Sequence, residues 1–190
     1  MSEGDRAVPH REGRPLMLLP HLPEDVQGPS AKSSGEVFYN PAMAGSRTRS
    51  VLLFRHAMEE GMLGDGTVYA LDGLTASGLR ARRWLNELPL EMSSRISATI
   101  VDLEEEALEW ARSSQMEFPP PEGVGGLQTF QGDLRTAVLS SGRHWIDIDP
   151  YGSPVPFIDS AMQSMARSGV MEVSATDTAA LTGSSKTALM

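Results

Sequence analysis

From residue 67 onward, short runs rich in β-branched and apolar residues alternate with longer runs whose apolar residues recur at helical spacing. Five strands are predicted, with helices after the first, the second and the fourth. The strands are TVYAL (67–71), ISATIVDL (96–103), GLQTFQGD (126–133), HWIDID (144–149) and VMEVSATDT (170–178). This alternation predicts an α/β fold, a doubly wound Rossmann-like sheet of mainly parallel strands that binds ligands at the carboxyl ends of its strands.

The helical runs and the N-terminal segment complete the predicted organisation. Residues 1–34 contain five prolines and little periodicity, which predicts an extended arm, partly irregular, with one short strand at Leu16 to Leu19. Residues 35–190 then form one domain. Its last predicted helix is opened by Pro156 and closed by Gly169. The helical runs are VLLFRHAMEEGM, DGLTASGLRARRWLNEL, EEEALEWARSSQMEF and PFIDSAMQSMARSG.

Composition excludes several classes of function. The sequence has no cysteine and four scattered histidines, which rules out disulfides, cysteine zinc sites and thiol catalysis, and we expect no metal. No run approaches the roughly 18 apolar residues of a membrane span, and the first residues lack the apolar centre of a signal peptide. We therefore expect a soluble, cytoplasmic protein without a membrane partner. The net charge of −9 argues against a broad nucleic-acid-binding surface, so any such contact must be local or shared with other sequence.

An aspartate stands at or near the end of each predicted strand. A single aspartate in such a place is most often a helix cap or the first residue of a turn. Five of them on one edge of a parallel sheet instead suggest a ligand pocket. The five are Asp72, Asp102, Asp133, Asp149 and Asp177.

The first predicted turn narrows the choice of cofactor. DGLTASG does not match the G-x-G-x-x-G dinucleotide fingerprint, and the sequence has no G-x-x-x-x-G-K-[ST] phosphate loop. A nicotinamide or nucleoside triphosphate is therefore disfavoured. S-adenosyl-L-methionine has no pyrophosphate and does not need those glycines. Its ribose hydroxyls suit the carboxylate of Asp102, and its adenine amine can donate to Asp133.

The fourth predicted strand ends on Asp149-Pro150-Tyr151-Gly152. An exocyclic amine of a nucleobase is a poor nucleophile because its lone pair is delocalised into the ring, so it must be oriented. A carboxylate and a backbone carbonyl can each accept one N–H, while an adjacent aromatic ring stacks on the base. Asp149, the carbonyl of Pro150 and Tyr151 supply these groups in sequence. The alternative is an ordinary type I turn with Pro and Gly at their favoured positions.

Four segments together resemble the tRNA guanine-N2 dimethyltransferase family, which modifies the guanine at position 26. They are FYNPAMAGSRTRSV (38–51), LDGLTASGLRARR (71–83), IDIDPYGSPVPFIDSA (146–161) and VSATDTAALTG (173–183). The resemblance runs from about residue 12 to the end of the chain and is weak over residues 14–34. It implies a methyltransferase that uses S-adenosyl-L-methionine to methylate the amine twice, with tRNA as its partner and no metal.

The resemblance also assigns roles to individual residues. Those implied to contact the cofactor are Arg47, Arg80, Asp102, Asp133 and Leu134. The motif that holds the base becomes Asp149, Pro150 and Tyr151, and Phe38 is expected to stack on its other side. Two departures stand out. The family usually reads N-R-D where this chain has Ser46-Arg47-Thr48, and Tyr151 replaces a phenylalanine.

The resemblance also implies a catalytic domain that continues beyond T-D-T-A and is followed by a second domain that helps to hold tRNA. We therefore expect residues 35–190 to be a methyltransferase domain that is incomplete at its C-terminus, and the full-length protein to be a monomer. Two alternatives stay open: a fragment that binds S-adenosyl-L-methionine without turnover, and another amino-methyltransferase that acts on a different nucleobase, such as DNA adenine, or on protein.

Overall fold

The computed structural model of the chain describes residues 7–20, 39–139 and 142–175. Helices and strands alternate through most of this length. In chain order they are β1 (Val8–Arg11), β2 (Leu16–Leu19), α1 (Ala44–Glu59), β3 (Val68–Gly73), α2 (Leu79–Glu87), α3 (Leu90–Ser93), β4 (Ile96–Asp102), α4 (Glu105–Glu117), β5 (Gly126–Gln131), α5 (Leu134–Ala137), β6 (Arg143–Ile148), α6 (Val155–Ser164) and β7 (Met165–Val173), with a 3₁₀ turn at Pro41–Met43 before α1. No helix among these is long and apolar enough to cross a membrane.

Five strands form one parallel sheet in the order β5-β4-β3-β6-β7. The chain builds outward from β3 in one direction and then, from β6, in the other. The strand order therefore reverses between β3 and β6, and open α/β sheets bind ligands at the carboxyl ends of the strands at such a switch point. The predicted α/β fold with a doubly wound sheet is confirmed.

Helices cover both faces of the sheet, as a doubly wound fold requires. On one face α1, α2 and α4 pack over β3, β4 and β6. The centre of this layer is aromatic: the rings of Phe54 and Trp145 stack with centroids 4.3 Å apart, and Trp84 meets both edge-on. On the other face α5 and α6 pack over the alternate side chains of the same strands, including Leu71 and Ile146. Strand side chains therefore alternate between two apolar layers.

The N-terminal arm contributes a β-hairpin to the domain. β1 and β2 pair antiparallel, and the Leu18 N–H donates to Ser114 Oγ of α4 at 2.9 Å. Met17 and Leu19 are buried against Leu79 of α2. The strand predicted at Leu16–Leu19 is confirmed. β1 was not predicted, because a strand of four residues is distinguished from irregular chain only by its pairing with β2.

The helix predicted between Pro156 and Gly169 is too long at its C-terminal end. α6 ends at Ser164, and β7 begins at Met165 rather than at the predicted residue 170. Gly169 lies inside the strand, where an added Cβ would come within 2.7 Å of the His144 carbonyl oxygen on β6. This glycine therefore permits a close approach of two strands, which is the other common reason for a glycine beside a helical pattern.

Candidate active site at the switch point of the sheet

Three carboxylates lie side by side at the carboxyl ends of three strands. Asp72 of β3 is in register with Asp147 of β6, and Asp147 is in register with Glu172 of β7. Asp72 and Asp147 are almost completely buried, with 2% and 0% of their surfaces exposed. Neighbouring strands are about 4.8 Å apart, so this row concentrates negative charge in a small, dry volume.

One guanidinium from α2 lies against the row. Arg80 Nε is 3.0 Å from Asp147 Oδ2, and Arg80 Nη1 is 3.6 Å from Glu172 Oε1. Arg80 Nη2 donates to Asp149 Oδ2, just beyond the end of β6. The strand-end network therefore consists of Arg80, Asp72, Asp147, Asp149 and Glu172.

The electrostatics of the strand-end network follow from burial and from four acids around one base. Burial raises the pKa of Asp72 to about 6, against the lowering effect of the Arg80 charge and of the hydrogen bond from Thr75. Burial also raises the pKa of Asp147 well above its usual range, and repulsion from Asp72 adds to the effect. Burial alone would lower the pKa of Arg80, but the surrounding carboxylates outweigh it and raise that pKa. Burial and mutual repulsion thus favour the protonated forms of Asp72 and Asp147, whereas the charge of Arg80 favours their ionised forms.

The turn between β3 and α2 adopts a strained backbone. Leu74 and Ala76 have φ of 61° and 48°, in the left-handed region that non-glycine residues rarely occupy. The Ala76 N–H donates to Asp102 Oδ2 at 2.8 Å, and the Glu104 N–H donates to Asp102 Oδ1 at 3.0 Å. Asp102 is thus held at the end of β4 by backbone donors. A carboxylate has about four lone-pair positions, so Asp102 can still accept hydrogen bonds from a ligand.

Asp133 and Leu134 lie at the start of α5. Asp133 caps this helix by accepting from the Arg135 N–H at 2.8 Å, and it also binds the Arg135 side chain. The hydrogen bonds from Arg135 lower the pKa of Asp133, which keeps this carboxylate ionised. Leu134 is buried against Gly73, where an added Cβ would meet its methyl groups at 2.8 Å. Glycine at the end of β3 therefore lets α5 pack close to the strand ends.

Asp149, Pro150 and Tyr151 follow β6 directly, at the switch point of the sheet. The Asp149 side chain is 18% exposed, which places it between the buried row and solvent. Tyr151 is 78% exposed, so its ring is accessible to a planar ligand. Gly152 has φ of 107°, a conformation that favours glycine as the chain turns toward α6. Phe38 and Asp177 lie outside the described residues.

Arg47 lies in a different cluster. Its guanidinium donates to Glu12 Oε1 at 2.7 Å and to the Asn40 carbonyl at 2.9 Å, and it lies over the ring of Tyr39. Arg83 of α2 donates to the same Glu12 oxygen at 3.0 Å and also binds Glu87. The hairpin network therefore consists of Glu12, Tyr39, Arg47, Arg83 and Glu87. A cofactor contact for Arg47 stays a prediction.

Sequence reasoning missed two members of the strand-end network, Asp147 and Glu172. Both were read as parts of strands, and only the strands' register shows that they stand beside Asp72. The signal for Asp147 was its place two residues before Asp149, on the same face of the strand. Within the described parts of the chain, no three His, Asp or Glu side chains are placed to hold a metal ion.

Two solved structures share this fold. Trm1 from Pyrococcus horikoshii, solved with S-adenosyl-L-methionine, superposes with a TM-score of 0.68 and 24% identity over 96% of this chain and 46% of that one. A SAM-dependent methyltransferase from Agrobacterium tumefaciens superposes with a TM-score of 0.61 and 12% identity over 91% and 53%. The class is therefore the Rossmann-like methyltransferase fold.

Sequence comparison identifies the family. A profile of N2,N2-dimethylguanosine tRNA methyltransferases matches residues 21–190. A tRNA (guanine(26)-N(2)/guanine(27)-N(2))-dimethyltransferase of Aquifex aeolicus is 34% identical over 91% of this chain and 41% of its own length. A tRNA (guanine(26)-N(2))-dimethyltransferase of Thermococcus kodakarensis is 30% identical over 95% and 46%. The chain belongs to the N2,N2-dimethylguanosine tRNA methyltransferase family, and it spans less than half the length of these relatives.

Proposed function

We propose that the protein carrying this chain methylates the exocyclic N2 amine of guanine at position 26 of tRNA, first once and then twice, with S-adenosyl-L-methionine as the methyl donor. The observation that carries the proposal is the strand-end network, in which Arg80 binds Asp149 at the switch point of the sheet. The family, whose relatives are named for this reaction, supplies the substrate.

The charge of the site suits this cofactor. Four carboxylates face one guanidinium in the strand-end network, so the pocket favours a cation and disfavours the pyrophosphate of a dinucleotide. S-adenosyl-L-methionine carries a positive sulfonium and an ammonium group. Asp102, held by two backbone N–H groups, has spare lone pairs for the ribose hydroxyls, and Asp133 and Leu134 would lie beside the adenine. When bound, the cofactor supplies an electrophilic methyl group.

Asp149, Pro150 and Tyr151 would prepare the acceptor amine. Asp149 and the Pro150 carbonyl each accept one N–H of the guanine amine, which turns the nitrogen lone pair toward the methyl group. Tyr151 stacks on the base, with Phe38 on the opposite side. Arg80 binds one oxygen of Asp149 and leaves the carboxylate further lone pairs for the amine. The reaction needs an extruded guanine, because the amine of a stacked base cannot be approached in line.

The test is whether the protein that carries this chain methylates a tRNA transcript with guanine at position 26. The control is the same transcript with adenine at that position. We expect monomethyl- and dimethylguanosine in nucleoside mass spectrometry of the first transcript only. Calorimetric titration with S-adenosyl-L-methionine measures the cofactor site by itself. No heat of binding, or equal methylation of both transcripts, would contradict the proposal.

The net charge of −9 favours a second candidate, cofactor binding without turnover by residues 1–190 alone. Attraction to phosphate comes from clustered Lys and Arg, so we expect residues 1–190, with their negative net charge, to bind tRNA weakly. Heat of cofactor binding without methylguanosine would support this second function. Contact with tRNA, a monomeric state and a cytoplasmic location are predictions from the sequence.

A further inference from the structure

The proposed chemistry gives Glu172 and Asp147 no contact with the acceptor amine, yet these two carboxylates occupy costly positions. Asp147 is fully buried, and neither of its carboxylate oxygens makes a well-oriented hydrogen bond with the residues that the structure describes. Glu172 Oε2 and Arg80 Nη1 are likewise buried without a hydrogen-bond partner in these parts of the chain. Buried polar groups left unsatisfied cost free energy, so their presence at this position calls for an explanation.

The row of carboxylates repels itself unless a cation lies against it. Asp72, Asp147 and Glu172 occupy paired positions on adjacent strands, and like charges in such positions are unfavourable. Arg80 is the cation of the strand-end network, and its side chain is only 4% exposed. A guanidinium is planar, so contacts at two of its nitrogens fix the direction of the third.

The three contacts of Arg80 divide between two sides. Nε lies 3.0 Å from Asp147, and Nη1 lies 3.6 Å from Glu172, both on strands of the rigid sheet. Nη2 points instead to Asp149, which follows β6 and reaches toward solvent. The guanidinium therefore joins a fixed base in the sheet to a carboxylate at the edge of the pocket.

We propose that Asp147 and Glu172 are positioning residues that hold the plane of the Arg80 guanidinium, and through it the orientation of the Asp149 carboxylate toward the acceptor amine. The inference rests on the proposed function, because it assigns Asp149 the amine. Catalysis loses rate steeply when a reacting group is misplaced by about 1 Å, so a loosened guanidinium should slow the chemical step without weakening substrate binding.

The test variant is Glu172→Gln, which removes the charge and keeps the shape. The matched control is Asp159→Asn on α6, whose carboxylate binds Gln163 rather than Arg80. Nitrogen-15 NMR of the Arg80 guanidinium measures its rotation in the protein without substrate. We expect slow rotation in the wild type and in the control, and rotation faster by about 10-fold in Glu172→Gln, as the loss of one charged contact implies.

Kinetics provide the second measurement. For Glu172→Gln we expect kcat to fall about 10-fold, with KM for tRNA unchanged. In an Asp149→Ala background the same substitution should cost nothing further, because the group that Glu172 positions through Arg80 is already absent. Asp147→Asn is measured in the same way and replaces Glu172→Gln if that variant does not fold.

Each contrary outcome is distinct. A Glu172→Gln protein with a lower Tm but unchanged rotation and unchanged kcat would overturn the inference, because the carboxylate would then only stabilise the fold. A further loss of kcat in the Asp149→Ala background would show that Glu172 does not act through Asp149. A wild type that transfers no methyl group overturns the proposed function, and the positioning role with it, even when the Arg80 guanidinium rotates slowly.

Discussion

Two buried ion networks meet α2, and they differ in how completely their charges are matched. In the hairpin network two arginines face two glutamates, and Glu12 accepts hydrogen bonds from Arg47, Arg83 and Tyr39. In the strand-end network one arginine faces four carboxylates, and buried atoms of Arg80, Asp147 and Glu172 lack hydrogen-bond partners among the described residues. Proteins break the rule of satisfied buried polar groups most readily at functional sites, so this difference fits a functional role for the strand-end network.

The two networks also respond to pH in opposite directions. Burial alone would raise the pKa of Glu12, but the hydrogen bonds and charge of Arg47 and the other partners outweigh it and lower that pKa. The stabilisation by Glu12 is therefore present above the pKa of the unfolded chain and is lost as pH falls through the folded value. The pKa of Asp72 is raised, so its burial destabilises the fold increasingly as pH rises toward about 6.

A third arginine of the same helix shows what burial does without a carboxylate. Arg82 is fully buried, and its guanidinium donates to the carbonyls of Leu16 and Phe118 at 2.7 and 2.9 Å. Burial lowers the pKa of Arg82 to about 10. Of these three arginines, Arg80 lies in the strand-end network, Arg82 binds two backbone carbonyls and Arg83 belongs to the hairpin network. The difference is set by what packs against each face of α2.

The largest expected effect is on stability, in the hairpin network. Glu12→Ala leaves Arg47 and Arg83 without their shared carboxylate, and removing one partner of a buried ion pair costs about 3–5 kcal/mol. Urea unfolding measures the loss. The control is Glu109→Ala on the exposed face of α4, for which we expect a change within about 0.5 kcal/mol. Equal losses in both variants would show that the hairpin network does not fasten the arm.

In the strand-end network the largest effect is on rate. Asp149→Ala should lower methylation by about 100-fold or more, because positioning and an amine hydrogen bond are lost together, while cofactor affinity stays nearly constant. Single-turnover methylation and Tm are measured on the same preparations. A variant that is destabilised but fully active once folded would mean that Asp149 is a turn residue.

Cofactor affinity should respond to Asp102. Asp102→Ala removes the proposed acceptor for the ribose hydroxyls, and hydrogen bonds to a charged group are worth about 1.5–3 kcal/mol. Titration calorimetry with S-adenosyl-L-methionine gives the change. Asp102 also binds Ala76 and Glu104, so the comparison with Asp102→Asn, which retains acceptor oxygen, separates the charge from the turn geometry. Unchanged affinity in both variants would remove Asp102 from the cofactor site.

A smaller effect is expected at Tyr151. Tyr151→Ala should weaken productive binding of the base by about 1–3 kcal/mol, the range for stacking on an aromatic ring, and Tyr151→Phe should be mild. The measurement is kcat/KM for the tRNA transcript. Similar losses in both variants would show that the hydroxyl, rather than the ring, makes the contact.

The last expected effect is a change of slope. As pH rises from about 4 to 6, Asp72 should lower the free energy of unfolding of the wild type, because the folded chain binds the Asp72 proton more tightly than the unfolded chain does. Asp72→Asn should lack this loss, so its stability should rise more steeply with pH than that of the wild type. Urea unfolding at four pH values tests this, with Asp159→Asn as control. Parallel curves would contradict the raised pKa of Asp72.

Much of the fold was predictable because its signals are local. The five strands were predicted from short β-rich runs, and the confirmed sheet places Asp72, Asp102 and Asp149 at strand ends on the edge where parallel strands finish. The family could be recognised from four short segments, and the matching profile confirms it. The predicted boundary between α6 and β7 was wrong because Gly169 does not end a helix. It allows close contact with the neighbouring strand β6, which the sequence around Gly169 does not show.

The sequence by itself therefore determined the order of the five sheet strands and of the four longer helices, the residues at the strand ends and the family. Only the tertiary structure decided which charges meet. Asp147 and Glu172 reach Arg80 through strand register, and Arg47 reaches Glu12 through the packing of the hairpin on α1 and α2. The physical reason is that periodicity records which face of an element is buried, whereas an ion pair between distant residues depends on how separate elements align.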